Sequence, residues 1–242
     1  MASWLPTHPQ IVQVKDTPGF CENPFSYAKY VSHLPDISDD QRLFERTTCY
    51  RRQEARERIL AAYRHKNATV KMLIIIRDPI DRLISGYVQK VIMSGGQDTF
   101  EEHICSTNGT LQMYNDCNNS IRTSVYVSEL AKWLRVFPRE SIHLVDGDVF
   151  RKTPWIELEK IEQFLSIDHF FTEDLFPRNP ENPKFRCFIN KNKTSCLGQG
   201  KGRPHPLITE ETVEKLRKYF KPYNDQLFNL VGQKFSWSDK YY

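Results

Sequence analysis

One segment of the sequence, IIIRDPIDRLISGY, places a cation and a hydroxyl group after a short apolar run. The run Lys71 to Arg77 is too short for a buried helix and predicts a central parallel strand. Arg77 would then lie at the carboxyl edge of the sheet, where α/β folds bind ligands. Ser85 follows inside the next helix, and a guanidinium with a hydroxyl near a helix N-terminus is typical of a phosphate receptor. A solvated ion pair of Arg77 with Asp78 or Asp81 explains the same residues without a ligand.

A second cationic segment, residues 182–209, contains no acidic residue. Its basic side chains are Lys184, Arg186, Lys191, Lys193, Lys201, Arg203 and His205. Residues 197–203, LGQGKGR, alternate glycines with cations, and such a loop can turn successive backbone N–H groups toward one anion. The Walker pattern GxxxxGK[ST] does not occur in the sequence. A mobile basic surface loop is the alternative.

Cys187 and Cys196 flank the tip of a hairpin predicted over residues 184–197. A disulfide between them would hold the strands that carry the basic segment and would contribute roughly 2–3 kcal/mol. Two reduced, half-buried thiols are the alternative. Spacing does not pair the other four cysteines, Cys21, Cys49, Cys105 and Cys117, although a bond between the last two is plausible.

The segment FERTTCY, residues 44–50, places Glu45 and Arg46 at the end of a short apolar stretch. Taken alone, it predicts a structural ion pair rather than a site.

The composition restricts the class of protein. The 242 residues suit a single domain, and 39% hydrophobic and 12% aromatic residues are enough to fill a core, which argues against general disorder. The net charge of +4 is too small to indicate nucleic-acid binding by itself. No apolar run is long enough to cross a membrane, so we expect this chain to be soluble. The cysteines form no CxxC pair and the histidines are scattered, which argues against a metal site.

Four N-x-[ST] glycosylation sequons, at Asn67, Asn108, Asn118 and Asn192, occur together with six cysteines. This combination favours a secretory lumen. Residues 1–20 lack the regions of a signal peptide, so we expect that the true N-terminus precedes this chain.

Hydrophobic periodicity predicts the elements that position these residues. We expect helices over 53–65, from Pro79 onward, over 121–137 and after a Thr153 cap, and one or two closing helices over 209–232. Strands are expected over 71–77 and 141–146. Residues 1–40 are predicted to be irregular with short helical pieces. Strands that alternate with helices indicate an α/β domain with a parallel sheet.

Three motifs, RDPIDRLISGY, WLRVFPRESIHLVDGD and CFINKNKTSCLGQGKGRPHP, follow one another in this order. Together they resemble the Golgi heparan sulfate sulfotransferases, in particular the glucosamine 3-O-sulfotransferases, from about His8 to Trp237. The resemblance implies a P-loop-kinase-like α/β domain whose parallel central sheet is flanked by helices. It further implies 3′-phosphoadenosine 5′-phosphosulfate as donor, a glucosamine hydroxyl of heparan sulfate as acceptor, and no metal.

The resemblance also assigns roles to residues. Arg77 and Ser85 would hold the 3′-phosphate of the donor, and Cys187 with Cys196 matches the disulfide of the family. The residues that would close over the nucleotide are Lys201, Gly202, Arg203, Pro204 and His205, of which Lys201 and Arg203 would also face the glycan. Arg186 stands at a nucleotide-contact position where the family usually has Tyr. Arg46 stands at a substrate-site Lys, followed by Thr47.

Two departures from the family concern catalysis. By the resemblance, we expect the chain to begin after the Gly-rich loop that grips the 5′-phosphosulfate. The single domain, residues 1–242, would then lack this loop and be truncated at its N-terminus. Thr17 and Gly19 occupy the positions of the catalytic Glu and a nearby His, and Asp16 becomes the candidate base if the register shifts by one.

The sequence therefore predicts a lumenal Golgi or secreted sulfotransferase that acts on heparan sulfate, whose full-length form is membrane-anchored or lumenal. The alternative is a relative that binds nucleotide or sulfated glycan without catalysis. A nucleic-acid-binding scaffold lacks support, because no aromatic-and-basic stripe or recognition helix occurs.

Overall fold

The computed structural model describes residues 4–14, 19–46, 50, 53–64, 69–104, 106–107, 110–111, 119–191, 193–196 and 205–242. The chain forms two compact units. The first comprises residues 1–75, 132–145 and 149–197, and the second comprises residues 76–131, 146–148 and 198–242. The single domain expected over residues 1–242 stays a prediction.

Strands and helices alternate over residues 11–90, as the α/β prediction requires, and pairs of helices or of strands follow one another later in the chain. The strands are β1 (Ile11–Gln13), β2 (Arg42–Phe44), β3 (Met72–Ile76), β4 (Ser106–Thr107), β5 (Thr110–Leu111), β6 (Ile142–Asp146), β7 (Phe188–Asn190) and β8 (Lys193–Ser195). The helices are α1 (Tyr27–Val31), α2 (Gln53–Arg64), α3 (Pro79–Lys90), α4 (Phe100–His103), α5 (Asn119–Arg122), α6 (Tyr126–Leu134), α7 (Gly147–Lys152), α8 (Pro154–Leu165) and α9 (Glu210–Val231).

The pairing of β1 with β2 corrects the expectation for the start of the chain. These two strands are parallel, with Ile11 opposite Arg42 and Gln13 opposite Phe44. The prediction of irregular structure with short helical pieces over residues 1–40 is therefore wrong for β1. A three-residue strand is too short for its alternating pattern to emerge from the sequence.

The two strands predicted from short apolar runs are present. β3 and β6 are neighbours in one sheet. Successive side chains of a strand point to opposite faces. Accordingly Ile76 is 1% exposed, whereas Ile75 beside it is 40% exposed. The other three residues of β3 are all half-buried, so this difference is confined to the end of the strand.

Aromatic rings fill the core of the first unit. Trp4 lies 5.5 Å from Phe150 and 5.3 Å from Phe176, measured between ring centroids. The buried members of this cluster are Trp4, Leu5, Ile11, Val145, Phe150, Leu158, Ile161, Phe171, Phe176 and Phe188. Burial of such large rings supplies much of the free energy that stabilises a domain.

The helix α8 also buries a carboxylate. Glu162 is 2% exposed, and its Oε1 accepts hydrogen bonds from the backbone N–H groups of Phe170 and Phe171 at 3.0 and 2.9 Å. Its Oε2 lies 2.7 Å from Nδ1 of His169. His8 approaches the same carboxylate, with Nε2 3.8 Å from Oε1. Glu162 therefore holds the segment after α8, and His8 binds the same segment through the carbonyl of Asp168 at 2.9 Å.

The start of α8 departs from the expected cap. Thr153 precedes α8 and Pro154 occupies its first turn, but the Thr153 side chain makes no capping hydrogen bond. Its hydroxyl instead donates to the carbonyl of Val149 in α7 at 3.3 Å. The Thr153 hydroxyl, which the sequence predicts to cap α8, therefore hydrogen-bonds to α7 instead.

The one or two closing helices predicted over residues 209–232 are a single element, α9. Its N-cap Thr209 accepts a hydrogen bond from the N–H of Thr212 at 3.2 Å. The helix ends at Gly232, whose φ of 66° lies in the left-handed region that favours glycine. Its buried face includes Leu216, Phe220 and Leu227. Within the described ranges, no helix is both long and apolar enough to cross a membrane.

The helix predicted over residues 121–137 is interrupted between α5 and α6. The carbonyl of Ser120 accepts hydrogen bonds from the Thr123 hydroxyl at 2.8 Å and from Arg82 Nη1 at 2.9 Å. These side-chain donors compete with the helical backbone for that carbonyl. The interruption places Tyr126 at the beginning of a new helix.

Candidate anion-binding site

The junction of β3 and α3 positions Arg77. Arg77 is the first residue after β3, and its side chain is half-buried. Asp78 caps α3, because its Oδ1 accepts a hydrogen bond from the N–H of Ile80 at 2.9 Å. Pro79 occupies the first turn, where a missing N–H costs nothing. The strand and the capped helix therefore fix the backbone from which the guanidinium extends.

The carboxylates beside Arg77 bind a different cation. Asp78 is 3% exposed, and its Oδ2 accepts a hydrogen bond from Lys240 Nζ at 2.8 Å. Asp81 Oδ2 lies 3.4 Å from the same ammonium group. Among the described residues, no salt bridge joins Arg77 to either carboxylate. The ion pair of Arg77 with Asp78 or Asp81, which is the alternative explanation of these residues, is therefore not formed in this part of the chain.

A tyrosine completes the set of donors around Asp78. The Tyr241 hydroxyl donates to Asp78 Oδ1 at 2.8 Å. Burial raises the pKa of Tyr241, and the charge of Asp78 raises it further. Burial alone would lower the pKa of Lys240, but its hydrogen bond to Asp78 and the attraction of both carboxylates raise it overall. Lys240 thus stays charged and Tyr241 stays neutral at physiological pH.

Ser85 lies on the same helix as the cap. It is exposed, and its hydroxyl has no hydrogen-bond partner in the part of the chain that the structure describes. Residues four apart share one face of a helix, so Ser85 lies one turn beyond Asp81 on that face. As predicted, Arg77 and Ser85 belong to one strand–turn–helix segment.

Tyr126 is a neighbour of Arg77 that the sequence analysis missed. Burial raises the pKa of Tyr126, while the charges of Arg82 and Arg77 act in the opposite direction. This hydroxyl therefore lies within electrostatic range of both guanidinium groups. No local pattern connects positions 77 and 126, because the fold alone brings them together.

The end of β6 is held in a similar way to the end of β3. Asp146 is 6% exposed, and its carboxylate accepts hydrogen bonds from the backbone N–H of Ser236 at 2.6 Å and from the Ser236 hydroxyl at 3.0 Å. The N–H of Asp148 donates to Asp146 Oδ1 at 2.9 Å. Residues 235–242, called the closing segment below, therefore contact the final residue of β6 as well as Asp78.

The basic hairpin of the first unit carries the predicted disulfide. Cys187 and Cys196 are bonded, with their Cα atoms 4.1 Å apart. β7 and β8 pair in antiparallel fashion between them, with Phe188 opposite Ser195. Cys21 is disulfide-bonded as well. Cys49, Cys105 and Cys117 lie outside the described residues, so the pairing of Cys105 with Cys117 stays a prediction.

Two contacts within the first unit orient the Arg186 side chain. Its Nε donates to the carbonyl of Lys152 at 3.1 Å, and its guanidinium lies 5.2 Å from the centroid of the Trp155 ring. Cation–π contact of this kind orients a guanidinium. The nucleotide contact expected of Arg186 stays a prediction.

Two further candidates lie in exposed positions. Arg46 follows β2 and is exposed, while its neighbour Glu45 accepts a hydrogen bond from the Tyr50 hydroxyl at 2.5 Å. His205 is exposed in a segment without regular structure.

The remaining candidates lie outside the described residues. They are Asp16, Thr47, Lys201, Gly202, Arg203 and Pro204, together with the sequon residues Asn67, Asn108, Asn118 and Asn192. Within the described ranges, no group of three or more His, Cys, Asp or Glu side chains is arranged to hold a metal ion.

Comparison with known proteins identifies what the chain is similar to. The sulfotransferase domain family matches residues 58–235. Heparan sulfate glucosamine 3-O-sulfotransferase 5 of Mus musculus is 31% identical over 244 residues, which cover 96% of this chain and 68% of that protein. Heparan sulfate glucosamine 3-O-sulfotransferase 3B1 of Homo sapiens is 30% identical over 98% of this chain and 61% of its own length.

A solved structure supports the fold. The crystal structure of a sulfotransferase from Alicyclobacillus acidocaldarius covers 98% of this chain, with a TM-score of 0.66 and 17% identity. The alignment covers 91% of that chain. Identity this low supports the fold alone, and it confirms the predicted α/β fold class.

Proposed function

Because this chain belongs to the sulfotransferase family, we propose that it moves a sulfuryl group from 3′-phosphoadenosine 5′-phosphosulfate to the 3-O hydroxyl of a glucosamine in heparan sulfate. The observation that carries the proposal is the alignment of 96% of the chain with heparan sulfate glucosamine 3-O-sulfotransferase 5. The order of the three motifs points to the same acceptor.

Arg77 is the proposed receptor of the donor's 3′-phosphate. A guanidinium fork binds two phosphate oxygens at once, and the N-terminal turn of α3 adds a favourable dipole. The pairing of Asp78 and Asp81 with Lys240 supports this assignment, because the Arg77 fork does not have to leave a carboxylate before it binds phosphate. The exposed Ser85 hydroxyl would donate a further hydrogen bond.

The basic residues Lys201, Arg203 and His205 would close over the nucleotide. Lys201 and Arg203, together with Arg46 and Thr47, would face the glycan. A sulfated glycan is a polyanion, so clustered cations attract it at long range and fix its orientation at short range. Arg186 would contact the nucleotide through its guanidinium in place of an aromatic ring.

The proposed step is an in-line transfer. The glucosamine oxygen attacks sulfur, a new S–O bond forms to the glycan, and the S–O bond to the 5′-phosphate breaks. The hydroxyl proton passes to a carboxylate, for which Asp16 is the candidate, and adenosine 3′,5′-bisphosphate leaves. Positioning and charge neutralisation dominate such transfers, and a general base contributes roughly 10²–10⁴-fold in rate.

A second candidate function is nucleotide or glycan binding without transfer. It is favoured by Thr17 and Gly19, which stand where the resemblance places the catalytic Glu and His. Binding requires the cations of the site, whereas turnover also requires a base, so the two activities can separate in one chain.

Transfer of labelled sulfate tests both candidates. The chain is incubated with labelled donor and heparan sulfate, and the product is digested to disaccharides. We expect label in 3-O-sulfated glucosamine. Label at another position would contradict the 3-O assignment. Affinity for adenosine 3′,5′-bisphosphate without any incorporation of label would favour the binding function.

We also propose that the protein works in the Golgi lumen or is secreted. The Cys187–Cys196 disulfide and the four sequons support an oxidising, glycosylating compartment. Expression through the secretory pathway followed by glycosidase digestion should lower the apparent mass, and an unchanged mass would contradict the proposed glycosylation.

A further inference from the structure

The closing segment, residues 235–242, contacts the ends of two strands that are neighbours in one sheet. Ser236 binds Asp146 at the end of β6. Lys240 and Tyr241 bind Asp78, which directly follows Arg77 after β3. All of these residues belong to the second compact unit. The contacts therefore reach the residue beside the proposed 3′-phosphate receptor.

Aromatic packing and a hydrogen bond anchor the closing segment. The Trp237 side chain is 1% exposed and stacks on Phe235, with ring centroids 5.4 Å apart and planes 5° from parallel. Phe228 of α9 lies 5.6 Å from the same ring. The N–H of Phe235 donates to the Ser238 hydroxyl at 2.9 Å. A segment fixed in this way can hold Lys240 and Tyr241 at defined positions.

The Asp78 carboxylate is buried and accepts hydrogen bonds from three donors. They are the Ile80 N–H, the Tyr241 hydroxyl and the Lys240 ammonium. The first fixes the start of α3, and the other two connect that start to the closing segment. Removal of one partner from a buried charged pair leaves the other charge uncompensated.

We propose that Lys240 and Tyr241 are positioning residues for the donor's 3′-phosphate. They hold Asp78 in its capping position and neutralise it, so that the Arg77 guanidinium remains available to phosphate. The inference rests on the proposed function, because it assumes that Arg77 binds the donor. Neither residue touches the nucleotide in this account.

The physical consequence concerns the 3′-phosphate alone. Without the Lys240 ammonium, the negative charge of Asp78 would attract the adjacent Arg77 guanidinium and compete with the phosphate. A ligand without a 3′-phosphate does not use that guanidinium, so its affinity should not change. A loss of folding would instead weaken the binding of both ligands.

Calorimetry with two nucleotides tests the inference. The full chain and its variants are titrated with adenosine 3′,5′-bisphosphate and with adenosine 5′-monophosphate. Lys240→Met should reduce the affinity for the bisphosphate roughly tenfold and leave the affinity for the monophosphate unchanged. Tyr241→Phe retains the ring and should reduce the affinity for the bisphosphate about threefold. The affinity for the monophosphate should again be unchanged.

Two control variants test whether the effect depends on the charge at position 240 and on that position alone. Lys240→Arg retains the charge and should restore most of the preference for the bisphosphate. Lys215→Met removes an ion pair to Glu211 on α9, where the N–O distance is 2.6 Å, and should leave both affinities unchanged.

Each outcome decides a different claim. The inference is overturned if Lys240→Met keeps the wild-type ratio of the two affinities, or if it lowers both affinities equally. If the wild-type chain itself shows no preference for the bisphosphate, the donor assignment fails and the inference fails with it. A wild-type preference that keeps its full size in Lys240→Met would overturn the inference alone and leave the donor assignment in place.

Discussion

Asp78 in the second unit and Glu162 in the first are buried to a similar degree, at 3% and 2% exposure. Each carboxylate accepts backbone N–H bonds and contacts a basic side chain, Lys240 in one case and His169 in the other. The two carboxylates differ in the part of the molecule that they hold in place. Asp78 fixes the start of α3 directly after Arg77, whereas Glu162 fixes a turn of the aromatic core. Burial and hydrogen bonding alone therefore do not distinguish a residue that serves a site from one that serves the fold.

The largest expected effects come from removing these two carboxylates. Asp78→Ala and Glu162→Ala should each lower the free energy of unfolding by about 3 kcal/mol, because each leaves buried donors without an acceptor. Urea denaturation measures this loss. Only Asp78→Ala should also change the preference of the folded protein for adenosine 3′,5′-bisphosphate over the monophosphate, because only Asp78 lies beside Arg77. An equal change in that preference for both variants would remove the distinction.

The disulfide of the first unit should have the next largest effect. The double variant Cys187→Ser with Cys196→Ser should lose roughly 2–3 kcal/mol of stability through the greater entropy of the unfolded chain. Thermal melting without reductant measures the difference. Reductant alone would be ambiguous, because it also opens the Cys21 disulfide. An unchanged melting temperature would show that the hairpin does not depend on the bond.

The smallest expected effects concern pH and act on opposite sides of neutrality. Burial lowers the pKa of His143 in β6, so its contribution to stability is present above the unfolded pKa and is lost as pH falls through the folded pKa. The pKa of Lys240 is raised, so its contribution is present below the unfolded Lys pKa and is lost as pH rises through the folded pKa.

Melting curves at acidic and alkaline pH separate the two contributions. His143→Phe retains the stacking on Phe164, whose ring centroid is 5.3 Å away, and should flatten the loss of stability on the acid side. Lys240→Met should flatten the loss on the alkaline side. Identical pH profiles for both variants and the wild type would refute the assignments.

Local patterns predicted the segments that contain the candidate site residues. The apolar run before Arg77 and the proline after Asp78 are sufficient to predict β3 and α3, because strand length and helix-start chemistry are local properties. The same holds for the hairpin around Cys187. Thr153 shows the limit, since its position predicts a cap while its hydroxyl bonds to the preceding helix.

The partners of Asp78 could not be predicted in this way. Lys240 and Tyr241 are far from Asp78 in the sequence, and no spacing rule relates them to it. Tyr126 likewise approaches Arg77 only through the fold, after the break between α5 and α6. Long-range contacts of polar side chains depend on the packing of whole helices, which hydrophobic periodicity does not specify.

The central claim is that Arg77 binds the 3′-phosphate of the donor, and calorimetric titration of Arg77→Ala with adenosine 3′,5′-bisphosphate tests it most directly. Arg135→Ala is the matched control, because Arg135 is an exposed arginine just beyond α6. The account predicts that Arg77→Ala loses affinity on the order of a hundredfold while Arg135→Ala binds like the wild type. An unchanged affinity in Arg77→Ala, in a protein that still melts cooperatively, would contradict it.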